Sequence, residues 1–264
     1  MATAEESFRQ GDLAASLALL QADVRRRPED VRLRVFLVQV LMVLGEWERA
    51  LTQLGVLKEL DAKTLPMVHS YGAAIQCERL RAAVFRGERS PLLFGEPEPW
   101  MAQMIQAVGL QAQGHGSEAA ALRTGALEAA PATAGTLNGT PFEWLADADT
   151  RLGPLLEVLL NGNYYWVPMH RISEIRVEAP QDIRDLVWLP AEFVWANGGE
   201  AVGFIPTRYP GSELSTDDAI RLARKTDWVD AGGAIGLGQR LLASDAAEVP
   251  LLELRSVEFE RSAA

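Results

Sequence analysis

Two short strings decide how this chain folds: Gly11-Asp12-Leu13-Ala14-Ala15-Ser16-Leu17 and Gly45-Glu46-Trp47-Glu48-Arg49-Ala50-Leu51. Their glycines lie 34 residues apart. In each string the glycine ends one helix, because it accepts the left-handed conformation that closes a helix C-terminus. The hydrophobic residue two positions on, Leu13 or Trp47, seals the turn. The small residue after that, Ser16 or Ala50, lets two helices approach closely. Working outward, residues 15–27 carry apolar side chains at 17, 20 and 24, one face of a helix that Pro28 stops. Residues 31–44 are apolar at 31, 35, 38, 41, 42 and 44, with Gly45 beyond the end. Residues 47–60 place Leu51, Leu54 and Leu57 on one stripe.

The period resembles that of the tetratricopeptide (TPR) repeat. Later the repeat loosens. Residues 64–87 read as one long helix, and residues 88–97 cannot pair with it because Pro91, Gly95 and Pro97 break them. Residues 98–113 form another helix, and Gly114, Ala119, Ala126 and Pro131 restore the pattern. Arrays of this kind stack helix pairs around a concave surface that accepts an extended peptide or a helix. The positions expected to line that surface are Arg32, Val35, Gln39 and Met42, then Met101, Met104 and Val108. Methionines suit an adaptable binding face.

Composition sets the frame around this repeat. The chain has 264 residues, 48% of them hydrophobic and 23% charged, so it can pack a core and is not a disordered segment. Its net charge is −11, of which −2 falls in residues 1–135 and −9 in residues 136–264. Such a surface repels phosphate backbones and anionic lipids, so neither nucleic acid nor a membrane is an expected partner. Residues 1–10 read as no signal peptide, and no apolar run approaches the ~20 residues of a membrane span. A cytoplasmic protein is the expectation. The single cysteine, Cys77, excludes an intrachain disulfide and reads as a small core residue.

The second half has a shorter rhythm. Residues 132–141 are small and turn-forming and read as a linker, followed by a helix over 142–160 broken at Gly153-Pro154. Strands are expected at 164–168, 172–177 and 187–195, with a hairpin turn at Asn197-Gly198-Gly199 and a return over 201–206. A helix is expected over 216–225 and a last strand pair or bent strand over 249–259. The fold class is therefore α+β in two parts: a TPR-like all-α repeat, residues 1–135, and a mostly antiparallel α+β domain, residues 136–264.

Catalytic and metal patterns are thin. Asp147 and Asp149 lack a second cluster with ligand spacing, so no metal is assigned. His170 has no nucleophile beside it, and His69 and His115 lack partners. Residues 232–240, rich in glycine, match neither a phosphate-binding loop nor a dinucleotide fingerprint and read as a turn. Arg151, Arg184, Arg208 and Arg240 lie among Asp147, Asp149, Asp182, Asp185 and Asp227, which suggests internal ion pairs. No nucleophile, base and orienter assemble, so no catalytic residue and no cofactor is assigned. An enzyme would need Asp149, His170 or Asp227 to converge in a cleft. A module for C-terminal tails would need inward cations, of which Arg32 is the obvious candidate.

The strings Trp144-Leu145-Ala146-Asp147-Ala148-Asp149-Thr150-Arg151-Leu152-Gly153-Pro154 with Glu157, Tyr164-Tyr165-Trp166-Val167-Pro168, and Arg184-Asp185-Leu186-Val187-Trp188 occur in order. Pro206-Thr207-Arg208-Tyr209, Thr226-Asp227-Trp228 and Gly236-Leu237-Gly238-Gln239-Arg240 follow. This set resembles the ImpE family (also called SciE or TagJ), accessory proteins of bacterial type VI secretion. The resemblance covers essentially the whole chain, since that family also begins with a TPR-like half. It implies a cytoplasmic, non-catalytic protein that binds the small subunit of the contractile sheath (TssB) through that subunit's N-terminal helix. It also implies a place beside the large sheath subunit (TssC) and the ATPase ClpV. The family strings are expected to specify the fold. Asp149 and Arg151 would pair or cap, Trp166 and Trp188 would fill the core of the second half, and Gly153-Pro154 would kink its helix.

Overall fold

Thr3 opens the first helix as a capping box: its hydroxyl accepts from the Glu6 N–H while the Glu6 carboxylate accepts from the Thr3 N–H. That helix is α1, Ala4–Gln10. The computed structural model describes residues 2–260. Met1 and residues 261–264, which the limits 1–135 and 136–264 include, lie outside the described residues. Gly11 closes α1 with φ +88°, and Asp12 caps α2, Leu13–Arg26. Asp30 caps α3, Val31–Val43; Gly45 makes the turn with φ +70°, and α4 runs Trp47–Leu60. Then come α5, Leu65–Phe85, α6, Pro99–Ala112, and α7, Gly116–Ala129. The chain thus has an N-terminal TPR-like helical region, in the register the 34-residue period predicts.

A sheet-rich domain follows. Its strands are β2, Gly135–Leu137; β3, Thr140–Phe142; β4, Leu145–Asp147; β5, Leu155–Leu160; β6, Asn163–Pro168; β7, Ile172–Arg176; β8, Trp188–Trp195; and β9, Glu200–Pro206. After the one-turn helix α8, Asp218–Arg221, come β10, Thr226–Asp230; β11, Ala234–Gly238; β12, Leu241–Ser244; β13, Glu248–Pro250; and β14, Ser256–Phe259. An earlier strand, β1, Leu92–Leu93, lies between α5 and α6. The large sheet has nine strands in the order β1-β6-β5-β9-β8-β7-β14-β2-β3. Every pairing in it is antiparallel except β1 with β6. A ribbon β10-β11 and a three-stranded sheet β13-β12-β4 complete it.

Three sequence expectations change. Residues 142–160 are not a helix. They hold β4, a turn and β5, whose six residues are all buried. A strand covered on both faces reads as a continuous apolar run, which periodicity cannot tell from a helix. Gly153 (φ +54°) and Pro154 therefore form the turn into β5 rather than a helix kink. Residues 132–141 are not a free linker but supply β2 and β3, the end of the large sheet. The helix expected over 216–225 shrinks to α8, capped by Asp217.

The helices pack on one face of the large sheet. One core joins Leu41, Met42, Leu54, Ile75, Met101 and Met104 of the helices to Leu155, Trp166 and Trp188 of the sheet. Trp188 stacks on Trp47 with ring centroids 6.1 Å apart and meets Tyr71 at 6.2 Å, while Trp166 meets Phe85 at 5.9 Å. The two tryptophans expected inside the second half thus join it to the first. The opposite face buries Leu156, Val158, Leu189, Phe193 and Ile205 with Leu145, Leu242 and Leu251 of the small sheet region. Cys77 is buried, and burial pushes its thiol up to about 12.

Candidate protein-binding site

Glu157 stands in the middle of β5 and is completely buried. A buried carboxylate needs cationic partners and satisfied lone pairs. Helix α5 supplies Arg81, whose Nε and Nη2 donate to the two Glu157 oxygens at 2.7 and 2.9 Å. Arg240, also fully buried, donates to Glu157 and to Asp147, and its Nε donates to the Pro206 carbonyl at 2.9 Å. The Tyr164 hydroxyl donates to Glu157 and accepts from Trp166 Nε1 at 2.6 Å. Burial works against ionised Glu157, but Arg81 and Arg240 outweigh it and hold its carboxyl at about 2. Asp147 goes the other way: burial raises it to about 6 against the pull of Arg240, with Asp149 adding repulsion. One arginine is shared there by two carboxylates.

The rest of the network belongs to the fold. Asp149 is gripped by Arg151, Nε at 2.9 Å and Nη2 at 2.5 Å, and accepts from the Gly236 N–H at 3.0 Å, so the expected Asp149–Arg151 pair is present. Arg184 pairs with Asp185 at 2.7 Å. Among the described residues Arg208 has no carboxylate within ion-pair distance. It donates to the Val43 carbonyl at 2.7 Å and the Arg221 carbonyl at 2.5 Å, and burial lowers it to about 10. Val43 ends α3, where exposed carbonyls favour a cation.

Asp149, His170 and Asp227 do not converge. Asp149 is locked to Arg151. His170 Nε2 lies 3.0 Å from Glu98 Oε1. Asp227 shares Lys225 Nζ with Asp217, at 2.9 and 2.8 Å. Among the described residues no group of three or more His, Cys, Asp or Glu is arranged to hold a metal ion, and no helix is long and apolar enough to cross a membrane. The glycine-rich stretch supplies the turn of the β10-β11 hairpin and the strand β11 that follows it.

The seven positions expected on a binding face divide sharply. Met42, Met101 and Met104 are 0% exposed and Val108 is 3%. The face that such repeats leave open is filled by the chain's own sheet, so these four are core. Gln39 is also buried, its Nε2 donating to Asp182 Oδ1 at 2.7 Å. Arg32 is exposed and Val35 half-buried, and with the edge of Gln39 they line a cavity of about 560 Å³. Phe8 of α1, Val31 and Phe36 of α3, and Ile183 form the rest of its apolar lining, and Phe8 meets Phe36 edge-on at 5.9 Å. Arg9, Arg32 and Glu5 carry the charge at this groove. Among the described residues neither arginine has a carboxylate within ion-pair distance, so an acidic molecule keeps two free cations at an apolar groove. Sequence reading missed Phe8 and Arg9 because α1 lies ahead of the repeat, although Thr3-Ala4-Glu5-Glu6 carries a readable capping box. Ile183 comes from the sheet half, about 150 residues beyond α3, and no local signal places it there.

Comparison with known proteins agrees with this architecture. Residues 139–258 match the family model described as ImpE protein, and residues 7–75 match a tetratricopeptide repeat model. The chain is 52% identical over 257 residues to the type VI secretion system accessory component TagJ of Pseudomonas aeruginosa, covering 97% of this chain and 91% of that protein. It also superposes on the crystal structure of a Vibrio parahaemolyticus protein with a TM-score of 0.89 and 25% identity, covering 98% of each chain. On the strength of that shared length and identity, the chain belongs to the ImpE/TagJ family.

Proposed function

We propose that this protein is a non-enzymatic, cytoplasmic adaptor of a type VI secretion system that captures a helix of the sheath small subunit, TssB, in the groove between α1 and α3. The observation that carries the secretion context is 52% identity to an accessory component over 97% of the chain. The groove supports the mode. It is apolar along Phe8, Val35, Phe36 and Ile183 and is flanked by Arg9 and Arg32, which suits an amphipathic helix with acidic flanks. The large sheath subunit TssC and the ATPase ClpV are the expected company, reached through TssB. The non-enzymatic reading draws on the buried network, in which Asp147, Asp149 and Glu157 are each tied to an arginine. The pair Arg9 and Arg32 also supports a second reading, capture of an acidic C-terminal tail.

Co-purification tests this directly. Tagged protein is expected to retain full-length TssB and to lose it when TssB lacks its N-terminal helix. Retention of the truncated subunit overturns the helix mode, and retention only through the subunit's C-terminal tail favours the second reading.

A further inference from the structure

The face of the large sheet that packs against the helices extends past them. Along β8 the residues on this face run from buried Trp188 through half-buried Pro190 to exposed Glu192 and half-buried Val194. Along β9 they run from buried Pro206 through half-buried Phe204 to exposed Val202 and Glu200. Register places Arg176, Glu192 and Val202 in one row across β7, β8 and β9, and Glu174, Val194 and Glu200 in the next. A cleft of about 660 Å³ opens between the first of these rows, with Pro190 and Ala191 beside it, and the segment 177–185. At its edge Val202 is 69% exposed. Arg176 is committed to Glu174, with Nε–Oε1 at 2.5 Å. Among the described residues Glu178, Glu192 and Glu200 have no cation within ion-pair distance. Arg176 is shared electrostatically among Glu174, Glu192 and Glu200, and Arg184 is held by Asp185, so Glu178 and Glu192 in the cleft and Glu200 beyond its edge leave an excess of negative charge around an exposed valine.

Glu192 and Glu200 are diagonal neighbours on this face, with Arg176 opposite Glu192, so the face stays net acidic, and an exposed branched apolar side chain beside them gains nothing from water. A partner bringing cations and one apolar side chain relieves both. We propose that this uncovered sheet face is a second docking surface, and that it takes a cationic segment of a protein partner whose apolar residue covers Val202. The inference stands on the sheet and not on the type VI reading. Its charge is opposite in sign to the rim of the α1–α3 groove, so the two surfaces select different segments.

The probe is a short fluorescein-labelled peptide of alternating lysine and leucine, read by fluorescence anisotropy, beside its glutamate and leucine counterpart. Saturable binding of the lysine peptide alone is expected. The E192Q/E200Q variant is expected to weaken it at least tenfold, and Val202→Ser severalfold. The E118Q/E128Q variant on α7 removes the same charge outside the cleft and is expected to stay within twofold of the parent. Equal loss in both double variants, no saturable binding, or equal binding of the glutamate peptide overturns the proposal. A Val35→Glu change in the groove leaves this binding intact, which separates its failure from that of the sheath reading.

Discussion

Glu157 is enclosed on every side, and its ionised form survives because Arg81 and Arg240 converge on it from α5 and from the segment before β12. Its folded carboxyl sits at about 2, below the usual 4.5, so an unfolding chain takes up the proton first. The resulting stability, about 3 kcal/mol at 1.36 kcal/mol per unit, is present above roughly pH 4.5 and lost as pH falls toward 2. Asp147, held up at about 6 against its usual 3.8, has the opposite sign. The folded state keeps that proton more tightly, so stability declines as pH rises from about 4 to about 6. Urea midpoints measured across pH are expected to show both limbs, with Asp147→Asn removing the upper one and Glu157→Gln the lower. A profile of Glu157→Gln that still falls between pH 4.5 and 2 as the parent does contradicts the assignment. The Asp149–Arg151 pair is legible in sequence because its members are two residues apart. Arg240 and Glu157 are 83 apart, and only the assembled sheet brings them together.

At the scale of elements, the repeat helices are readable because each carries its own stop and cap: Gly11 with Asp12, Pro28 with Asp30, and Gly45. The strands with alternating burial, β8 above all, are readable for the same local reason. Strand β5 is not, since helices cover one of its faces and the small sheet region the other. The glycine-rich hairpin has a packing reason. A Cβ at Gly236 would stand 2.2 Å from the Tyr209 ring, which lies against Trp228 at 5.7 Å. Gly236→Ala is therefore expected to cost about 1–3 kcal/mol by overpacking, seen as a lowered thermal midpoint. An unchanged midpoint would mean that the ring moves freely. Of the seven positions expected on a binding face, the α1–α3 groove holds Arg32, Val35 and the edge of Gln39. Met42, Met101, Met104 and Val108 follow the repeat pattern faithfully, but nothing in that pattern announces that the sheet will cover them.

The molecule as a whole is joined through Trp47, Tyr71 and Trp188, through Arg81 reaching Glu157, and through β1 lying on β6. Helices and sheet share one core, so they are expected to unfold together. Far-ultraviolet dichroism and tryptophan fluorescence should give coincident transitions, and residues 1–135 alone should lack a cooperative one. Separate transitions would mean that the two parts are independent. In the proposed adaptor, the apolar α1–α3 groove with Arg9 and Arg32 at its edge receives a partner helix. Titration calorimetry with a synthetic peptide of the TssB N-terminal helix tests it most directly, run on the parent and on Val35→Glu, whose side chain is half-buried in the groove. Saturable binding by the parent and at least a tenfold loss in a variant with an unchanged thermal midpoint is the predicted result. No binding by the parent, or equal binding by both proteins, contradicts the account.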